Sequence, residues 1–138
     1  GNNLTQHFER CYTSPKYAKG KWYLLENEEG RPVSSLIGYE FDKINEKRVL
    51  GIGTIATNPN ERKKGFGEKL IRGFINICPN TIFYLWSDIN PSFYEKFGFE
   101  VLPQKYQTKS GSIVMIRAEK ELIKSLLDDP KYLPPGYF

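Results

Sequence analysis

The chain has 138 residues, of which 39% are hydrophobic and 26% charged, with a formal net charge of +4. That is enough apolar material for one core of ordinary domain size and too much for a disordered chain. One histidine (His7) and two distant cysteines (Cys11, Cys78) exclude a Cys/His zinc cluster and C-x-x-C redox chemistry, and no apolar run is long enough to span a membrane.

The remaining composition narrows the function classes further. A Ser-His-Asp or Cys-His site would need His7, and no nucleophile-elbow pattern accompanies it. Cysteines without a disulfide pattern, and no visible signal peptide, make a reducing cytoplasm the default setting. The mild basic excess suits an anionic small ligand at least as well as nucleic acid, which calls for a denser basic stripe.

In chain order, Leu4, Phe8 and Cys11 fall at helical spacing, so a short N-terminal helix is predicted within residues 1–20, ending near Ser14-Pro15. Lys21 to Glu26 and Val33 to Phe41 read as strands joined by the turn Asn27-Glu28-Glu29-Gly30. Val49 to Thr57 is a third strand, apolar on both faces and therefore central. Leu70, Ile71, Phe74, Ile75 and Cys78 build one apolar helix stripe, closed by Pro79-Asn80. Thr81 to Trp86 is another central strand, and Pro91 to Phe97 is a short helix ended by Gly98. Phe99–Leu102 and Ser112–Ala118 form a final strand pair, and Glu119–Leu127 a last helix. Residues 129–138, with three prolines, are predicted to be an extended tail. The reading is one α+β (mixed α/β) domain over residues 1–138, a mixed sheet with helices on its faces.

The segment Arg62-Lys63-Lys64-Gly65-Phe66-Gly67-Glu68 lies between a buried strand and a helix. Two closely spaced glycines bring backbone N–H groups near a ligand. The helix start adds N–H groups without intrahelical partners and a positive dipole end, and three cations precede it. Together these features describe a phosphate site; taken alone they also fit a solvated basic loop. A nearby pattern is a decoy. Gly51-Ile52-Gly53-Thr54-Ile55-Ala56 matches a dinucleotide fingerprint, but the residues that follow continue a strand and stop at Asn58-Pro59. Its glycines therefore read as a bulge or as a close approach to substrate.

The Arg-x-x-Gly-x-Gly pattern after an apolar strand resembles the acetyl-CoA pyrophosphate motif of the GNAT N-acetyltransferases. Asn90-Pro91-Ser92-Phe93-Tyr94-Glu95-Lys96-Phe97-Gly98-Phe99, following its own strand, resembles that family's second signature. The resemblance covers about Lys21 to Arg117. It implies the GNAT fold: a mostly antiparallel mixed sheet splayed between the Val49–Thr57 and Thr81–Trp86 strands, with the pantetheine arm in the gap. It implies acetyl-CoA as cofactor and acetyl transfer to a primary amine by direct attack in a ternary complex. Backbone groups of Ile55, Ala56 and Thr57 would pair with the pantetheine arm. Arg62, Lys63, Lys64, Gly65, Phe66, Gly67 and Glu68 would hold the phosphates, with Asn90, Phe93 and Tyr94 completing the cofactor site. Tyr94 would be the general acid, since a phenol with pKa near ~10 is protonated at neutral pH; its alternative is a core residue of an amphipathic helix.

Two departures from the family pattern stand out. Val49–Thr57 holds no carboxylate or histidine, so the base is unassigned. Glu40, Asp42 and Asp88 lie near strand ends, where each also reads as a solvated surface carboxylate. The segment before Lys21 is short for the acceptor wall, leaving an acceptor pocket that is open or completed by a second subunit. The aromatic tail Tyr132–Phe138 is expected over the acceptor cleft or on a second copy of the chain, a homodimer. The partner is a small-molecule or peptide amine, with no metal, nucleic acid or membrane. A non-catalytic acyl-CoA-binding domain of the same fold is the first alternative, and a basic nucleic-acid-binding domain the second.

Overall fold

Alternation of side chains builds the first strands. In a computed structural model, which describes residues 5–11, 20–57 and 65–138, Tyr23 and Leu25 are buried on the strand Gly20–Glu26 while Lys21 is exposed. The strands are β1 (Thr5–Cys11), β2 (Gly20–Glu26), β3 (Pro32–Ile44), β4 (Lys47–Thr57), β5 (Thr81–Ser87), β6 (Glu100–Val101) and β7 (Ile113–Arg117). The helices are α1 (Phe66–Ile77), α2 (Ser92–Glu95) and α3 (Lys120–Asp128). The chain forms two compact units: Gly1–Glu40 with Ile52–Pro79, and Phe41–Gly51 with Asn80–Phe138. Strand order is β1-β2-β3-β4 through the first and β4-β5-β7-β6 through the second. Pairing is antiparallel for β1–β2, β2–β3, β5–β7 and β6–β7. The expected α+β class with a mixed, mostly antiparallel sheet holds.

One element is corrected. Thr5–Cys11 is not a helix but a strand on the edge of β2, with Thr5 opposite Glu26 and Cys11 opposite Lys21. A short polar helix is marginal in water, whereas a free strand edge supplies partners for every second backbone group. The register shifts between Phe8 and Arg10. That shift breaks the two-residue alternation and hides the strand from a reading of periodicity. The other residues of the predicted helix, 1–4 and 12–19, lie outside the described residues.

In the first unit, α1 buries Phe66, Leu70, Ile71 and Phe74. Phe74 meets Tyr23 of β2 edge to face, with ring centroids 4.5 Å apart. A side chain at Gly38 would begin 2.9 Å from Tyr23 and 3.0 Å from Phe74, so only glycine admits both rings. Each such buried aromatic contributes roughly 1.5–3 kcal/mol.

In the second unit, all seven residues of β5 are buried, as its unbroken apolar run predicts. β3 and β4 are joined by Asn45 and Glu46, both at positive φ (49° and 64°), as a two-residue hairpin of right-handed twist requires. The polar loop between β6 and β7 is pinned by Gln107. Its amide nitrogen donates to Leu102 O (2.9 Å) and Val114 O (3.2 Å), and its oxygen accepts from Val114 N (2.8 Å).

The tail after Asp128 has neither helix nor strand, as expected, and its aromatics find partners inside the second unit. The Tyr132 hydroxyl is hydrogen-bonded to that of Tyr84. The Trp86 indole donates to Pro135 O (3.3 Å) and faces the Tyr137 ring, with centroids 5.8 Å apart. Phe138 lies 5.3 Å from Phe41, centroid to centroid.

Candidate functional site

In the first unit the predicted site residues sit at the end of β4 and the start of α1. Ile55 and Thr57 are half-buried and Ala56 is exposed. Just before them, Thr54 has φ 51°. A β-branched residue rarely adopts that conformation, and holding it costs on the order of 1–3 kcal/mol. The irregularity expected from the glycines of β4 thus falls at Thr54. Gly51 serves packing instead of substrate approach, since a Cβ there would lie 2.6 Å from Phe138 and from Phe41.

Ser34 is a residue that motif reading did not flag. It is buried on β3, and its hydroxyl donates to Ala56 O (3.0 Å) and bonds to the Thr57 hydroxyl (3.2 Å). This contact ties the last residues of β4 to β3. A serine pair between the apolar Val33 and Leu36-Ile37 was the available signal, because a buried hydroxyl must find a partner.

Helix α1 starts on Gly65, whose φ of 76° is left-handed and carries no penalty only for glycine. Among the described residues, no side chain caps the helix start, and an added Cβ on Gly65 would meet nothing within 4 Å. The first-turn N–H groups of Phe66 and Gly67 have no intrahelical acceptor, and the helix dipole is positive there. Gly67 lies beside Thr57, since its absent Cβ would be 3.6 Å from the Thr57 hydroxyl. The structure thus brings Thr57, Gly65, Phe66 and Gly67 together. Phe66 itself is buried, so its contribution is its backbone. Glu68 is half-buried and pairs with Arg72 one turn later (3.8 Å). Arg62, Lys63 and Lys64 lie outside the described residues.

In the second unit, Tyr94 is buried on the one-turn helix α2. Asn90 starts that turn. Its side-chain oxygen accepts from Ser92 N (3.0 Å) and its carbonyl from Phe93 N (3.2 Å). Gly98, at φ 94°, ends it, with its N–H donating to Glu95 O (3.0 Å) and that of Phe99 to Tyr94 O (3.4 Å). Phe93 and Phe99 stand edge-on to the Tyr94 ring, at 5.1 and 6.3 Å between centroids. The Lys96 ammonium lies over Phe93, 4.4 Å from its centroid. Burial, and secondarily the charge of Asp88, push the Tyr94 phenol above its ordinary value. The phenol therefore stays protonated and can donate.

The three carboxylates considered as bases separate here. Glu40 and Asp42 are exposed. Asp88, also exposed, accepts a hydrogen bond from the Ser112 hydroxyl. Among the described residues, no group of His, Cys, Asp and Glu is placed to hold a metal ion, and no helix is long and apolar enough to cross a membrane.

Comparison with known proteins follows the same lines. A family model described as an acetyltransferase (GNAT) domain matches residues 3–102. No curated protein matches the chain by sequence. Among solved structures, a Bacillus subtilis acetyltransferase in complex with CoA is similar at 13% identity and a TM-score of 0.66, over 85% of this chain and 99% of the other. An Arabidopsis thaliana protein in complex with the bisubstrate analogue CoA-Ac-MVNAL matches at 16% identity and a TM-score of 0.64, over 84% and 99%. A GNAT family acetyltransferase from Elizabethkingia anophelis with acetyl-CoA bound matches at 16% and 0.63, over 85% and 99%.

Proposed function

Since the chain belongs to the GNAT acetyltransferase family, we propose that it transfers the acetyl group of acetyl-CoA to a primary amine within a ternary complex. The observation that carries this reading is the start of α1: a helix that begins on left-handed Gly65 with no side-chain cap among the described residues, and with Thr57 of β4 beside Gly67. Those features fit a pyrophosphate, which needs backbone N–H donors and no intruding side chain. Similar folds solved with CoA or acetyl-CoA support the same donor.

Acetyl-CoA supplies an already activated thioester, so no protein nucleophile is required. The chain's residues then have positional and proton-handling work. The backbone of Ile55, Ala56 and Thr57 receives the pantetheine arm, and the Ser34 contacts hold that strand end in place. The backbone from Gly65 to Glu68 binds pyrophosphate, and Arg62, Lys63 and Lys64 serve the remaining phosphates. Asn90 fixes the turn that presents Phe93 and Tyr94. Tyr94 protonates the departing thiolate.

A second reading, an acyl-CoA-binding domain without turnover, draws on the absence of any carboxylate from Lys47 to Thr57. One experiment separates the two. Acetyl-CoA at about 100 times its Kd stabilises a binding protein by about 2.7 kcal/mol. A rise in melting temperature together with thiol release in the presence of primary amines is the expected result. A rise without thiol release against any amine of a broad panel selects the binder; no rise at millimolar acetyl-CoA removes both.

A further inference from the structure

We infer that Ser34 is a positioning residue for acetyl-CoA: its one hydroxyl locks the end of β4 against β3 and draws the Thr57 hydroxyl proton away from the phosphate site at α1. The inference rests on the acetyltransferase reading above and deepens it, because it fixes which groups at the end of β4 are left to meet the cofactor.

All the residues concerned belong to the first unit. Ser34 stands where packing alone favours an apolar side chain. It is 3% exposed, and its cross-strand neighbour on β2 is the buried Leu25, which offers a hydroxyl no side-chain partner. A buried hydroxyl is costly unless it is hydrogen-bonded. Both bonds of Ser34 go to the last two residues of β4, to Ala56 O at 3.0 Å and to Thr57 Oγ1 at 3.2 Å.

Counting protons gives each bond its direction. A serine hydroxyl has a single proton, and a carbonyl oxygen can only accept. The Ser34 proton is therefore committed to Ala56 O, and Thr57 donates to Ser34 Oγ. That spends the Thr57 proton. The Thr57 oxygen, 3.6 Å from where a Cβ on Gly67 would stand, is left as an acceptor only. An acceptor does not bind a phosphate oxygen, so the anion at α1 is left to backbone N–H groups, and Thr57 acts as a link between β3 and the helix start.

Strand geometry then aims the backbone. Along an extended strand the N–H and C=O of successive residues point to opposite edges. Ser34 holds Ala56 O toward β3, so the backbone groups of Ile55 and Thr57 point to the other edge, free to receive the pantetheine arm. In CoA that arm is covalently joined to the pyrophosphate. Both subsites can be filled at once only if the end of β4 and the start of α1 keep one spacing. The Ser34 bonds fix the strand end, and Thr57 sets it against Gly67. Loss of the Ser34 hydroxyl should thus weaken a ligand that spans both subsites and spare one that uses only the phosphate subsite.

The test measures Kd by isothermal titration of the full chain with two ligands: acetyl-CoA, which spans both subsites, and ADP, which carries a pyrophosphate and no pantetheine. With Ser34→Ala, Kd for acetyl-CoA is expected to rise by about 10-fold, the scale of one lost hydrogen bond, while Kd for ADP holds. Ser34→Thr, which keeps a hydroxyl, should recover most of the loss. Thr57→Val reaches the same contact from a half-buried position, and it should weaken acetyl-CoA and leave ADP as it was. A weaker ADP with Thr57→Val overturns the inference, since Thr57 would then be a phosphate donor. Equal losses of both ligands with Ser34→Ala, or no loss of acetyl-CoA with either variant, overturn it too. So does a wild type that binds acetyl-CoA but not ADP, because the phosphate subsite would not stand apart from the strand. Failure of the wild type to bind acetyl-CoA at all counts instead against the acetyltransferase reading.

Discussion

Phe138 occupies the space in front of Gly51. A Cβ built on Gly51 would lie 2.6 Å from Phe138 Cζ and equally close to Phe41 Cε2. The last aromatic residue and a strand glycine are therefore shaped to each other, although the family match ends at residue 102. Gly51→Ala should cost about 1–3 kcal/mol of stability, the usual range for overpacking. Placed in a Phe138→Ala background, the same substitution should cost at least about 0.5 kcal/mol less, because one of its two obstacles is gone. Chemical denaturation of the four proteins measures both values. An equal cost in both backgrounds would show that Phe41 alone excludes the methyl and that the tail is incidental.

The Tyr84–Tyr132 hydroxyl pair ties the tail to β5, and it sets an alkaline limit on stability. Burial is the main reason that both phenols are pushed above their ordinary value. A folded-state pKa above the unfolded one means that the folded state keeps a proton which the unfolded chain loses. Stability from the pair is therefore complete below about pH 10, where the unfolded phenols begin to ionise, and declines as the pH rises beyond it. Tyr132→Phe should cost about 1–3 kcal/mol at neutral pH, since it leaves the Tyr84 hydroxyl in the core without this partner. It should also make the decline above pH 10 shallower, because one buried phenol no longer titrates. Urea denaturation across pH 7–11 reports both. A parallel decline in wild type and variant would refute the assignment of the alkaline limit to this pair.

Much of this arrangement is legible in the sequence, and the illegible parts share a cause. β5, α1 and α2 follow from an unbroken apolar run, a helical stripe and a glycine stop, all local signals. The two glycines at the start of α1, Gly65 and Gly67, and the aromatic signature around Tyr94 could likewise be read from short segments. Thr5–Cys11 could not, because its strand exists through pairing with β2 and its alternation is interrupted after Phe8. Thr54 could not either: nothing in a β-branched residue announces φ 51°. Ser34, Ser112 and the tail aromatics act through partners 22 to 49 residues away for Ser34–Ala56, Ser112–Asp88, Tyr84–Tyr132 and Trp86–Pro135. Such contacts leave no periodicity in the sequence.

Tyr94→Phe isolates the acid. The phenylalanine keeps the ring that packs beside Phe93 and Phe99 and removes only the hydroxyl. Folding should change little, because the backbone bonds that define the turn, from Phe97 N and Phe99 N to Tyr94 O, do not involve the side chain. If the hydroxyl protonates the leaving thiolate, kcat should fall by about 10²–10⁴-fold while the Kd for acetyl-CoA stays near the wild-type value. The pH profile supplies a second check. The phenol is raised above its ordinary value by burial and by Asp88, so wild-type turnover should show no loss from Tyr94 ionisation until above about pH 10. Stopped-flow or coupled thiol-release assays give kcat, and isothermal titration gives Kd. A proportional loss in kcat and affinity would mean that Tyr94 shapes the site without donating the proton.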